Sequence, residues 1–441
     1  MRVLLRYIVS NFKSIGHPVE FSMFPTEEST DERFLKTITT KAGEWKVLRR
    51  GGFFGPNASG KSSFIESIDF ARDYIVDGQK SGKGTGVNQF RGDFEDLEGI
   101  SSFQFMFYLE GEVYEYGFSL DRRQVHEEWL MQLTEKDLEP LFTRVTDENG
   151  RTEIEIETAF APEGSAQREL AEVLKQSIQE NQKNQLFLYK LYDNGIEKIE
   201  NIFDWFKHLQ TVFPSSSIQS LPIRMKLDKK LRAYIADKLN SLDTGVSDVS
   251  VVSNKITFED FAEKYDIPTE VIRDMEEIEN GIININGKSF IFADGKLLQI
   301  KFNHILNSKT VKFNIDEESD GTQRLVDLLP MLFSMQEDSN FIYFVDEIDR
   351  SLHTKLSQFL LEEFVNSINS GYNQIIFTAH DVNLINLDRF RQDEIWFIEK
   401  NYRGESRLKP LSNFEINEKR DALKAYLSGR FGAIPTIRGR K

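Results

Sequence analysis

The stretch FFGPNASGKSSF, residues 53–64, decides how the rest of the chain is read. Within it, Gly55-Pro56-Asn57-Ala58-Ser59-Gly60-Lys61-Ser62 satisfies the GxxxxGK[ST] phosphate-loop pattern in full. A short β-forming run precedes the loop, and an apolar helical period follows it. The glycines let backbone N–H groups converge on a concavity, and the helix N-terminus adds a partial positive charge. Lys61 is expected to reach the β/γ-phosphates and Ser62 to ligate Mg²⁺, so residues 55–62 with Ser63 form the expected nucleotide-binding set. The cofactors that follow are a nucleoside triphosphate and Mg²⁺.

Working outward, positions Phe64, Ile65, Ile68, Ala71, Tyr74 and Ile75 have helical spacing, and Gly78 is placed to end that helix. Val3–Val9 reads as a strand, with SMF near residue 23 as a pairing partner. PTEESTDERF at 25–34 reads as turn, and the glycine-rich KSGKGTGVNQFRGD at 80–93 as a mobile loop. Residues 101–120 and 151–158 alternate apolar and polar, which predicts an antiparallel sheet solvated on one face, with Glu110-Gly111 as a hairpin turn. From about 165 to 280 the pattern is helical and charged without a sustained heptad, and strand patterns return at 281–302.

NFIYFVDEIDRSLH, residues 340–353, opens with a continuous apolar run of strand length, the pattern of a strand buried on both faces of a parallel sheet. TKLSQFLLEEFVNSIN reads as a helix, and QIIFTAHD and DEIWFIEK repeat the buried run. Buried strands alternating with helices predict an α/β sheet whose two halves are separated by an inserted lobe.

A phosphate loop needs an acid to complete its metal site. Asp346 follows FIYFV at a strand end, where open α/β sheets place their ligands. Glu347 beside it is suited to polarise the attacking water. His380 ends IIFTAH one strand–helix unit later, in reach of a γ-phosphate. SDGTQ at 319–323 exposes Ser319, the Gly321 backbone and a helix N-terminus, a second anion-binding turn.

Ser-Asp-Gly ahead of DEID, then RSLH and a histidine after the next strand, resembles the ABC-type ATPases of the SMC, Rad50 and RecF group. NFKSIG, GPNASGKS, ESDGTQRL, DEIDRSLH and the tail YLSGRFGAIP resemble, more narrowly, the AAA15 family of stand-alone ATPases of phage-defence and abortive-infection systems, related to OLD proteins but without their nuclease domain. The fold this implies is an ABC-type (SMC/Rad50-like) P-loop ATPase head with an antiparallel β subdomain and an inserted helical lobe. Its expected divisions are 1–160, carrying the Walker A loop and the antiparallel arm; 161–285, the helical lobe; and 286–441, carrying the signature turn, Walker B, the D-loop and the switch histidine.

In proteins of that type, nucleotide is sandwiched between two heads. The resemblance implies that the loop, Asp346, Glu347 and His380 act in one head while Ser319 and Gly321 reach the γ-phosphate from the other. It makes Asp349 the D-loop residue near the dimer seam and Gln89 a candidate Q-loop ligand of the metal. Glu318 and Asp320 depart from the common Leu-Ser-Gly-Gly-Gln signature, a departure that fits slow hydrolysis and disfavours a transporter motor.

The remaining expectations concern context. A chain of 441 residues is long enough for two or three lobes, and a formal charge of −16 confines any nucleic-acid contact to a local groove. The absence of cysteine excludes disulfides and thiolate metal sites. MRVLLRYIVSNFKSIG reads as a strand rather than a signal peptide, and no apolar run approaches the roughly 20 residues of a membrane span, so the expected location is cytoplasmic without membrane contact. The resemblance implies a homo-oligomer formed through the heads, a phage-encoded trigger, and a separate effector, a nuclease. About 60 residues follow His380, fewer than a typical independent domain, which disfavours a nuclease within the chain. The rival reading is an SMC/RecF-like genome-maintenance ATPase that clamps DNA directly.

Overall fold

In the computed structural model, which describes residues 1–26, 35–80, 82–92, 99–135, 137–214, 221–255, 260–261, 281–285, 288–337, 340–366, 371–416 and 422–434, the run before the phosphate loop folds as strand β5 (Arg50–Phe54), buried throughout. The side chains at 181, 282–285 and 288–289 lie outside the description, as do the expected turn at 27–34, much of the charged stretch at 256–280 and the tail from 435. The chain divides into two compact units, one of residues 1–213, 338–349 and 364–441, the other of 214–337 and 350–363.

The first unit holds β5 in a six-stranded sheet of order β11 (Leu209–Val212), β17 (Ile342–Val345), β18 (Gln374–Ala379), β5, β19 (Ile395–Lys400), β20 (Ser406–Pro410). Every pair is parallel except β19 with β20. The continuous apolar runs are the central strands, covered on both faces, so no alternation is visible in their sequence. Helix α1 (Lys61–Val76) follows the loop, ends before Asp77, and is closed by Gly78 at φ 65°, a left-handed cap that glycine adopts without strain.

A seven-stranded antiparallel sheet lies on the other side of α1, in the order β10 (Thr152–Ile156), β9 (Leu138–Thr146), β8 (Val125–Leu133), β7 (Glu112–Leu120), β6 (Ser101–Leu109), β1 (Arg2–Ser10), β2 (Val19–Ser22). Glu110 and Gly111, at φ 52° and 98°, form the expected turn between β6 and β7. Phe64, Ile65, Ile68, Ala71, Tyr74 and Ile75 of α1 share one core with Tyr7, Phe103 and Phe105 of this sheet and Phe53, Ile342 and Ile376 of the parallel one. Burying each phenylalanine there contributes about 1.5–3 kcal/mol, so the helix is held by its two-sided packing.

Two expectations are corrected here. Solvation of one face holds along β10, where buried and exposed residues alternate, and fails along β7, which is buried along almost its whole length; the hairpin β3 (Leu35–Thr40)–β4 (Gly43–Leu48) covers the outer face at Val113. Ile38 and Val47 of that hairpin pack with Val3, Leu5, Tyr108 and Val113. The stretch 161–285 is not one helical lobe either. Helices α2 (Ala166–Asn181), α3 (Phe187–Asp193) and α4 (Glu197–Lys207) cluster with the first unit, and β11 is an edge strand of the parallel sheet. Glu128 on β8 fixes α3 by accepting the N–H groups of Phe187 (2.7 Å) and Leu188 (2.9 Å), and Arg144 lies beside it as a buried counter-charge at 3.6 Å. Burial pushes the Glu128 carboxyl up, against Arg144 and these hydrogen bonds.

The second unit contains α5 (Leu221–Leu227), α6 (Lys229–Ser241) and a sheet of order β12 (Val246–Asn254), β15 (Lys296–Leu306), β14 (Lys288–Ala293), β13 (Gly281–Ile285), with β16 (Lys309–Phe313) also on β15. Helix α7 (Asp320–Glu337) follows a short 3-10 turn and packs Phe333 against Tyr234 of α6. Helix α8 (Thr354–Asn366) begins in this unit, and its last residues cluster with the first. A short helix, α9 (Ala422–Leu427), belongs to the first unit.

Candidate functional site

Register brings the expected residues to one edge. Phe54 pairs with Ala379, and Val345 with Phe377, so the chains leaving β5, β17 and β18 all emerge at the carboxyl end of the parallel sheet. Those exits are Gly55, Asp346 and His380. An open α/β sheet gathers ligands at this edge.

The phosphate loop is packed from behind. A Cβ on Gly55 would sit 2.2 Å from the Ile398 carbonyl oxygen of β19, so only glycine lets the loop press on that strand. Gly60 has φ 112°, and a Cβ there would meet the Ser406 hydroxyl at 2.0 Å. Lys61 Nζ donates to the carbonyls of Gly55 (2.7 Å) and Pro56 (3.1 Å), which keeps the ammonium over the loop. Burial pulls the Lys61 pKa down, while the nearby carboxylates of Asp346, Glu347 and Asp349 act against that shift. The lysine and all three acids therefore share one electrostatic neighbourhood.

Thr378 organises the acids. Its hydroxyl donates to Asp346 Oδ1 at 2.6 Å and accepts the Glu347 N–H at 2.8 Å. Glu347 takes the left-handed conformation, φ 47°, which costs a residue with a side chain on the order of 1 kcal/mol and turns its carboxylate to His380 Nε2 at 3.1 Å. Asp349 is nearly buried and accepts the backbone N–H groups of His380 (2.9 Å) and Asp381. In this chain its carboxylate holds the histidine turn.

In the second unit, Ser319 caps α7. Its Oγ accepts the Thr322 N–H at 3.2 Å and pairs with the Thr322 hydroxyl at 2.9 Å. Gly321 lies where a Cβ would stand 2.9 Å from the Ser351 carbonyl oxygen, so a side chain would push the turn away. Glu318, the departure from the common signature, is buried against His304 Nε2 at 2.8 Å. The Gln89 amide donates to the Gly99 carbonyl, on a loop tied down by Lys13 N–H to Asn88 O (2.7 Å) and Phe90 N–H to Asn11 Oδ1 (3.1 Å). The expected mobile loop is thus pinned along part of its length.

Ser62, at the second position of α1, and Asp346 supply hydroxyl and carboxylate oxygens, the hard donors that magnesium takes. Among the described residues no group of three or more His, Cys, Asp or Glu is arranged as a metal cage. Magnesium that keeps phosphate and water oxygens needs only one or two protein ligands, so the donor set fits.

Sequence reasoning missed Thr378 and Ser406. Thr378 precedes AH at the end of the buried strand QIIFTA, where a hydroxyl after the apolar run IIF was the available signal. Ser406 lies on β20 with no motif around it. Residues 426–434 of the tail YLSGRFGAIP acquire a place: Phe397 stacks on Tyr426 and Phe431, and Ala433 N–H donates to Glu399 at 2.9 Å. This seats Gly432–Ile434 beside Pro56–Ser59 around a cavity of about 420 Å³. No helix among the described residues is long and apolar enough to cross a membrane.

A family model described as "AAA domain, putative AbiEii toxin, Type IV TA system" matches residues 52–386. No curated protein matches the chain. Among solved structures, it is similar to an SMC head domain from Thermotoga maritima, with 13% identity and a TM-score of 0.38 over 94% of this chain and 99% of that one. It is also similar to an Smc head domain with an extended coiled coil, bound to the C-terminal domain of ScpA derived from Pyrococcus furiosus, with 13% identity and a TM-score of 0.41 over 98% and 100%.

Proposed function

The chain belongs to this AAA-domain family and has an ABC-type P-loop ATPase head fold, and from that premise we propose that it hydrolyses ATP with Mg²⁺ between two copies of itself. The observation that carries the reading is the Thr378-linked cluster of Asp346, Glu347 and His380 in the electrostatic neighbourhood of Lys61. Lys61 and the loop N–H groups hold the phosphates, and Ser62 and Asp346 hold the metal. The metal, when bound, neutralises phosphoryl charge. Glu347 orients the attacking water, and His380 steadies Glu347 and contacts the γ-phosphate. Ser319 and the N-terminus of α7 come from the second copy, while Asp349 fixes the histidine turn next to the seam.

We further propose that this ATPase is the sensor and regulatory scaffold of an anti-phage system of the AAA15 kind, holding or releasing a separate nuclease effector. The family description, which names a toxin of a toxin–antitoxin system, supports a defence context. Glu347→Gln is expected to retain ATP binding and lose turnover, read by nucleotide binding and phosphate release; wild-type turnover would remove Glu347 from its role. Copurification of the native complex with mass spectrometry tests the effector. Salt-dependent DNA binding with DNA-stimulated hydrolysis by the purified chain would instead favour the DNA-clamping reading.

A further inference from the structure

NFKSIG, residues 11–16, packs tightly beside the phosphate loop. Phe12 and Ile15 enter the core, and Lys13 reaches Glu66 of α1 at 2.8 Å. Ser14 is bound through both backbone and side chain: its carbonyl accepts the Ser406 N–H at 2.8 Å, and its hydroxyl is 2.8 Å from the Ser406 hydroxyl. Ser406 Oγ is also 2.7 Å from the carbonyl oxygen of Ser59, inside the loop.

A serine hydroxyl has one proton, and a carbonyl can only accept. Satisfying both short contacts therefore requires Ser406 to donate to Ser59 and Ser14 to donate to Ser406. Across a trans peptide, the carbonyl and the following N–H point in opposite directions. Pinning the Ser59 carbonyl outward thus turns the Gly60 N–H into the loop's concavity. The residue before Ser406 is itself locked. The Glu405 carboxylate, although burial pushes it up, is held at about 2 by the N–H and ring of His17, by Asn401 and by Arg407. A Cβ on Gly16 would stand 2.5 Å from that carboxylate, so the 11–16 turn closes directly on it.

We propose that Ser14 and Ser406 form a positioning relay that sets the Ser59–Gly60 peptide for phosphate binding. Neither residue touches nucleotide; both act through the loop backbone. The inference rests on the phosphate-loop reading above.

The test is equilibrium binding of MgATP to the full chain, with melting temperature followed in parallel and Lys61→Ala as reference. Ser406→Ala removes the bond to Ser59 and is expected to raise Kd about tenfold, with kcat at saturation within about twofold of wild type. Ser14→Ala leaves Ser406 able to donate to Ser59 and is expected to raise Kd about threefold. In a relay the effects do not multiply, so the double variant should match Ser406→Ala within about twofold. The relay is overturned if Ser406→Ala binds like wild type while Lys61→Ala loses binding, or if the two losses multiply. Absence of MgATP binding by the wild type would instead remove the phosphate-loop reading, and the relay with it.

Discussion

Thr378→Val is the most informative single substitution at the acid cluster. Valine keeps the volume of a fully buried side chain and deletes only its hydroxyl. Two interactions go at once. The 2.6 Å bond to Asp346 is charge-assisted and contributes about 1.5–3 kcal/mol. The Glu347 N–H, bonded at 2.8 Å, loses its acceptor at a cost of about 1–3 kcal/mol. Because one hydroxyl serves both groups, the losses overlap, and the expected destabilisation is about 2–4 kcal/mol. Release of Glu347 from its left-handed turn should also misplace its carboxylate, lowering kcat by about 10- to 100-fold while ATP affinity changes less. Urea unfolding followed by tryptophan fluorescence gives the first quantity and phosphate release the second. Thr378→Ser should recover most of both. A valine variant with wild-type midpoint and turnover would refute the bridging role.

Further expectations follow from packing and charge. Gly60→Ala places a methyl against the Ser406 and Ser14 hydroxyls at φ 112° and should weaken MgATP binding by about 2–4 kcal/mol, read by calorimetry. Asp327 has its pKa raised to about 6 by burial, with Arg324 acting against the shift. The folded state therefore holds a proton that the unfolded state has released between pH 4 and 6, and stability from this group falls as pH rises through that window. Asp327→Asn should stabilise the protein at pH 7 by about 1–3 kcal/mol and flatten that slope in urea titrations. His304→Ala removes the partner of the buried Glu318 carboxylate and should cost about 1.5–3 kcal/mol, at least half of it recovered in His304→Ala/Glu318→Leu by the same titration.

The sequence exposed the parts of the fold whose physics is local. Helix α1 was legible because its buried positions recur at the helical period up to Gly78, and the central strands because burial on both faces leaves unbroken apolar runs. Asp346 and His380 were legible as polar residues ending such runs. The hairpin at 35–48 was not, since LKTITT and GEWKVL are short and its contribution is to cover a distant sheet. Strand β11 was hidden for a similar reason: LQTV becomes a strand by pairing with Ile342–Val345, some 130 residues later. Thr378 and Ser406 carry no pattern because their partners are single atoms brought together by tertiary packing.

Strand β5 lies between β18 and β19, so the segment leading into the phosphate loop pairs only with chain made more than 300 residues later. During translation at about 5–20 residues per second, its backbone must wait tens of seconds for either neighbour. A nascent chain ending before residue 374 would display a glycine loop with no scaffold beneath it. A loop set for phosphate is therefore expected only after residue 400 has been made, and fragments ending before residue 374 should depend on chaperones and fail to bind MgATP.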